Sequence, residues 1–245
     1  MSRRRFLKAM AVGGAGVGIG AVGLPYTLTG RAMLAQHRTN VGEIRTFHLE
    51  DGTELVLNTD SAVDVSFSSQ QRRIHLYQGE IQLKTGHETP RRHFIVETAA
   101  GEIEALGTEF TVRQHKDHIH LAVLDGAVEV RPAMGGQRQR VDAGQSIHFR
   151  QNSVAAPQPS STAAASWRQG KLVAQGMRVA DFVGEIARYR PGFTLYDKAV
   201  ADFTISGVFT LQDTDRALQS LAASLPVALN YRTDYWVKVV PTVPE

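Results

Sequence analysis

The chain has 245 residues, with 27 Lys+Arg against 24 Asp+Glu, 42% hydrophobic residues and no cysteine. That length allows an export or membrane segment plus one or two modest domains, and the missing thiols exclude disulfides and thiolate catalysis. Residues 1–45 hold seven of the basic residues and one of the acidic ones, which leaves 20 bases against 23 acids; the body of the chain lacks the positive field of a nucleic-acid binder.

The first element is Ser2-Arg3-Arg4-Arg5-Phe6-Leu7-Lys8, followed by an apolar Gly/Ala run. Arg3, Arg4, Phe6 and Leu7 stand where a twin-arginine export signal has them. A basic cluster flanking an ordinary membrane helix gives the same topology, with the N-terminus cytoplasmic and the chain from about residue 36 periplasmic. The run at 9–26 is close to the roughly 18–20 residues of a spanning helix, and no clean A-x-A cleavage site follows it. Residues 1–35 therefore read as a retained single-pass anchor in the inner membrane. The glycines at 13, 14, 16, 18 and 20 cost up to about 1 kcal/mol each in a helix. Such a helix is easily unwound for an intramembrane protease, although the low hydrophobicity of twin-arginine signals accounts for the same glycines. No strand precedes Gly14, which sets aside a dinucleotide-binding loop.

From residue 44 to 149 the apolar period is two, as in Val63-x-Val65-x-Phe67, Ile74-x-Leu76, Ile81-x-Leu83 and Ile119-x-Leu121-x-Val123. This predicts about ten short strands. Turns are expected at Asp51-Gly52, Gln78-Gly79, Ala100-Gly101, Asp125-Gly126 and Ala143-Gly144. Residues 41–150 are thus an all-β domain, either a sandwich or a short β-solenoid. Residues 151–166 lose the periodicity and gain Pro, Ala and Ser, as a linker does. Beyond it, residues 167–241 read as a small α+β domain of two βα units and a terminal hairpin. A strand at 171–174 leads to a helix with Val179, Phe182, Val183 and Ile186 on one face. A strand at 203–210 leads to a helix capped by Asp213. Strands at 227–231 and 235–240 close the domain.

Candidates for chemistry are few. His115-x-x-His118-x-His120, with His93 as a further ligand, has residues on one strand face that suit a metal, but Ile119 and Leu121 take the buried face and leave the histidines in water. Glu102/Glu104 and Asp213/Asp215 are carboxylate pairs, read as a solvated strand face and a helix N-terminus. No G-x-S-x-G elbow occurs. The reading is no catalytic residue, no cofactor and no metal site. Arg72-Arg73 and Arg91-Arg92 flank expected turns as solvated charge or an electrostatic patch. Tyr231, Tyr235 and Trp236 cluster at the last hairpin, as packing or as a partner-binding edge.

The strings Asp51-Gly52-Thr53-Glu54-Leu55-Val56-Leu57-Asn58, Leu106-Gly107-Thr108-Glu109-Phe110-Thr111-Val112 and Val123-Leu124-Asp125-Gly126-Ala127-Val128-Glu129-Val130 resemble a FecR domain. Trp167-x-x-Gly170-Lys171-Leu172, Ala187-Arg188-Tyr189, Ser206-Gly207-Val208-Phe209 and Ala217-Leu218-x-x-Leu221 resemble that family's C-terminal part, which is similar to the secretin and TonB N-terminal domain. The resemblance implies an anti-sigma-factor-like regulator. Its partners would be the periplasmic signalling domain of an outer-membrane TonB-dependent receptor loaded with a siderophore or haem, an extracytoplasmic-function sigma factor and an intramembrane protease. The family's cytoplasmic sigma-binding domain is not expected in this sequence, where Met1 directly precedes the twin arginines, so sigma binding is implied by the family more than by these residues. The competing expectations are a soluble exported periplasmic binding module and a hydrolase built on the histidines. Strand addition at 227–231 or 235–240 is the expected mode of receptor docking.

Overall fold

The computed structural model describes residues 28–86, 92–160 and 162–242. The twin-arginine string and the apolar run at 9–26 lie outside these residues. Among the described residues no helix is long and apolar enough to cross a membrane.

A short helix α1 (Leu28–Leu34) precedes β1 (His37–Arg38), β2 (Arg45–His48), β3 (Glu54–Leu57), β4 (Ala62–Phe67), β5 (Gln71–Lys84), β6 (His93–Thr98) and β7 (Gly101–Ala105). Then follow β8 (Glu109–Gln114), β9 (Ile119–Asp125), β10 (Ala127–Pro132), β11 (Gln139–Asp142), β12 (Gln145–Arg150), β13 (Ser153–Val154) and β14 (Gln158–Pro159). They form one 14-stranded sheet folded into two layers. One layer holds β1, β4, the first half of β5, β6, β7, β10 and β11. The other holds β2, β3, the second half of β5, β8, β9, β12, β13 and β14. Leu57, Leu76, Ile81, Phe94, Phe110 and Phe149 from both layers are buried in one core, the inward half of the two-residue period. Within this sheet only β5 and β6 pair in parallel. The chain runs back and forth as a sandwich, and the parallel coil of a solenoid is excluded.

The glycines do more than make hairpins. The strands expected at 74–76 and 81–83 are a single strand, β5, and Gly79 is the bend at which it leaves one layer for the other, with φ of 86°. At Asp125-Gly126 and Ala143-Gly144 the flanking strands are not paired with each other, so these positions carry the chain between layers. Asp51-Gly52 and Ala100-Gly101 do join paired neighbours, β2 with β3 and β6 with β7. The stretch 151–166 is not loose either, since Val154 and Pro159 sit opposite Phe149 and Gln145 of β12.

The C-terminal unit begins with a 3₁₀ segment (Thr162–Gln169). It continues through β15 (Lys171–Arg178), α2 (Val179–Ala187), β16 (Phe193–Tyr196), β17 (Thr204–Thr210), α3 (Thr214–Ser224), β18 (Val227–Thr233) and β19 (Trp236–Pro241). Helix α2 buries Val179, Phe182, Val183 and Ile186. The Asp213 carboxylate caps α3 by accepting from the Arg216 N–H at 2.9 Å. Strands β15 and β17 pair antiparallel, while β16, β19 and β18 form a second sheet in that order. The periodicity does not show β16, a four-residue strand. Its presence places β19 in the middle of its sheet, so the segment 235–240 is no docking edge.

Candidate functional site

The last residue of the string at 51–58 and the string at 187–189 meet in space. Asn58 and Glu80, both buried, lie on the β body beside Arg188 and Tyr189, which follow α2. The Tyr189 hydroxyl donates to Asn58 Oδ1 at 2.8 Å, and Asn58 Nδ2 donates to Glu80 Oε2 at 2.8 Å. Arg188 bridges Glu80 at 2.8 Å and Glu185 at 3.0 Å, and Arg113 of β8 reaches Glu185 at 2.6 Å. The Thr59 hydroxyl donates to the Arg188 carbonyl at 2.9 Å. Burial works against the Arg188 charge, but Glu80 and Glu185 outweigh it and raise its pKa. Burial also opposes ionisation of Glu185, yet Arg113 and Arg188 hold its pKa below the usual range. Burial raises the Tyr189 hydroxyl, so it remains a donor. Val56 of β3 belongs to the same apolar cluster as Phe182, Leu218 and Val237. The C-terminal unit is therefore fastened to the β body by charge-assisted bonds laid over shared apolar packing.

A cleft of about 270 Å³ lies at this junction, lined by Glu80, Arg113, His120, Trp167, Glu185 and Arg188 among others. His120 heads a file of imidazoles that continues to His148 at 4.7 Å, His118 at 5.0 Å and His115 at 4.3 Å between ring centroids. Burial, then the other histidines and Arg113, depresses His120 to about 4; burial, Arg113 and His118 depress His115 to about 4. The His115 and His120 rings pack neutral. The expectation that the histidines face water is corrected: His115, His118 and His120 are half-buried, and His120 of β9 lies on an outer face that the C-terminal unit partly covers. His93 sits on the other layer, beside Glu104. Among the described residues no group of three or more His, Asp or Glu side chains is placed to hold a metal ion. His148 joins the file through the β9–β12 register, which the alternation Ile147-x-Phe149 could not reveal.

The other candidates have structural partners. Glu102 pairs with Arg73 at 2.8 Å, and Asp215 with Arg190 at 2.9 Å. Arg72 is no solvated loop charge: it is buried, 2.9 Å from Asp51 and 5.1 Å from the Phe94 ring centroid. Arg92 donates to the Ser68 carbonyl, and Arg91 lies outside the described residues. So do Arg3, Arg4, Phe6 and Leu7. Tyr231, Tyr235 and Trp236 flank the β18–β19 turn and make separate contacts. Tyr231 bonds Asp215 at 3.2 Å, Tyr235 is 63% exposed, and the Trp236 ring lies 4.5 Å under the Arg232 guanidinium.

An all-β sandwich thus carries a small α+β unit on its outer face, with ion pairs at the junction. The FecR family model, described as FecR protein, matches residues 35–129. The chain thus carries, within its β body, a region similar to the FecR domain. Two crystal structures described as a candidate anti-sigma factor from Parabacteroides distasonis share the fold. One, at 20% identity, has a TM-score of 0.69 and covers 84% of this chain and 98% of its own. The second, at 21% identity, has a TM-score of 0.68 and covers 83% and 96%. No curated protein matches.

Proposed function

We propose that this protein is an anti-sigma-factor-like relay of cell-surface signalling. In this reading the periplasmic signalling domain of an outer-membrane TonB-dependent receptor, loaded with a ferric siderophore or haem, docks on the C-terminal unit, residues 167–241. The change passes through the β domain, residues 41–150, to an inner-membrane anchor at 1–35, and an intramembrane protease and an extracytoplasmic-function sigma factor complete the pathway. The junction from Asn58 and Glu80 to Arg188 and Tyr189 supports the proposal, because it ties the C-terminal unit to the FecR-like body by paired charges and hydrogen bonds. The other end of the path is also tied down. The Gln36 N–H donates to Asp64 at 2.8 Å, the Gln36 side chain accepts from the Val65 N–H at 3.1 Å, and β1 pairs with β4. The segment that follows the anchor is thereby anchored to the sheet.

Calorimetric titration of the full chain in detergent with signalling domains of TonB-dependent receptors from the same genome tests this. The expected result is saturable one-to-one binding to one of them, lost on deleting residues 167–245. Absence of binding to every such domain overturns the receptor relay.

A further inference from the structure

The geometry points to β16 as a strand-addition edge: we infer that its free side takes up an extended, uncharged segment of a transient protein partner. This deepens the receiving role proposed above and rests on it for the partner's identity. Strand β16 ends its sheet. The N–H groups of Phe193 and Asp197 donate to the Tyr235 and Val239 carbonyls at 2.7 and 2.8 Å. Alternation along the strand then turns the N–H and C=O of Thr194 and Tyr196 away from β19, toward the open side.

The side chains on this strand are Phe-Thr-Leu-Tyr, with Phe193 66%, Leu195 41% and Tyr196 40% exposed. Phe193 lies opposite Trp236 in the register, which places two aromatic residues at this end of the sheet. Native edges are normally guarded by charge, proline or a bulge, and two other edges of this unit, β18 and β15, are. Strand β18 has Asn230, Arg232 and a bulge after Tyr231; β15 has Lys171, Arg178 and a bulge after Ala174. No such guard stands between Phe193 and Tyr196.

Charge and size select the occupant. Of the charges near the strand, Arg190 pairs with Asp215 and Lys238 with Asp197, Lys198 stands beyond its end, and Phe193 to Tyr196 themselves are uncharged, so the edge favours a neutral segment with apolar side chains at alternate positions. A four-residue strand is about 13 Å long. Edge-to-edge pairing of two copies over that length buries far less than the roughly 1,200 Å² of a stable interface. A permanent homodimer through this edge is therefore ruled out in favour of a transient signalling contact.

The test uses the full chain in detergent with Leu195→Lys and Tyr196→Pro variants, whose folding is checked by an unchanged circular dichroism spectrum and melting temperature. One probe is the receptor signalling domains; the other is a displayed library of random dodecapeptides selected on the unsubstituted protein. The expected result is binding weakened at least tenfold by both substitutions and unchanged by Arg232→Ala on β18. Receptor-domain binding that is indifferent to the β16 variants overturns the edge and leaves the relay standing. Library peptides that depend on β16, with no receptor domain binding, overturn the relay and leave the edge. Recovery of no β16-dependent ligand by either probe overturns the edge.

Discussion

At Gly79 a Cβ atom would lie 2.2 Å from Ser61 Oγ and 2.5 Å from Ser61 Cα, with φ at 86°. Gly144 has a similar φ of 77° but open space around it. Both substitutions to Ala carry the left-handed backbone cost of about 1 kcal/mol, and only Gly79→Ala adds a clash with backbone. Gly144→Ala should lower thermal stability slightly, while Gly79→Ala should cost about 3 kcal/mol or more, near 6–12 °C in Tm. Equal melting shifts in the two variants would contradict this account of the bend. The histidine file makes a second residue-level prediction. His120 has its folded pKa lowered from 6.5 to about 4, so the unfolded chain binds more protons between those values. Stability is unaffected above about pH 6.5, falls as pH drops toward 4 and levels off below. For one buried imidazole the loss is about 3 kcal/mol, and His120→Gln should remove that share of the limb in an equilibrium unfolding series, leaving the share of His115.

The elements meet at Glu80 of β5 and Arg188 after α2, whose side chains are 8% and 19% exposed. Arg188→Ala leaves Glu80 buried without its cation, and removal of one member of such a pair costs about 3–5 kcal/mol. Urea unfolding should show that loss, and the double variant Glu80→Gln, Arg188→Met should recover most of it, since no stranded charge remains. The strand and helix periods were plain in the sequence because burial imposes them: Val63-x-Val65 and Val179, Phe182, Val183, Ile186 lie as read. Hidden were the features that depend on distant partners. Phe193–Tyr196 is too short to show a period, and Gly79 looks the same in a hairpin as in a bent strand. Asn58, Arg188 and Tyr189 stood in recognisable strings, but nothing local to them tells that residues about 130 positions apart share a hydrogen bond.

The whole molecule depends on whether its two parts move as one. Val56 of β3 packs into the cluster of the C-terminal unit, the Tyr189 hydroxyl ends on Asn58, and Arg188 spans Glu80 and Glu185. A contact set that is both apolar and charge-paired couples the unfolding of its two sides, as neighbours in one network do not behave independently. Scanning calorimetry of the full protein should therefore show one transition whose calorimetric and van't Hoff enthalpies agree. Arg188→Ala combined with Tyr189→Phe removes the polar fastening while sparing both cores, and it should split the trace into two transitions, one for each part. If the unsubstituted protein already melts in two steps, the parts are coupled too weakly for a docking event on the C-terminal unit to reach the FecR domain, and a mechanical relay through this junction is excluded. If the double variant still melts as one, the coupling resides in the apolar contact of Val56 and its neighbours. A Val56→Ala substitution should then produce the split.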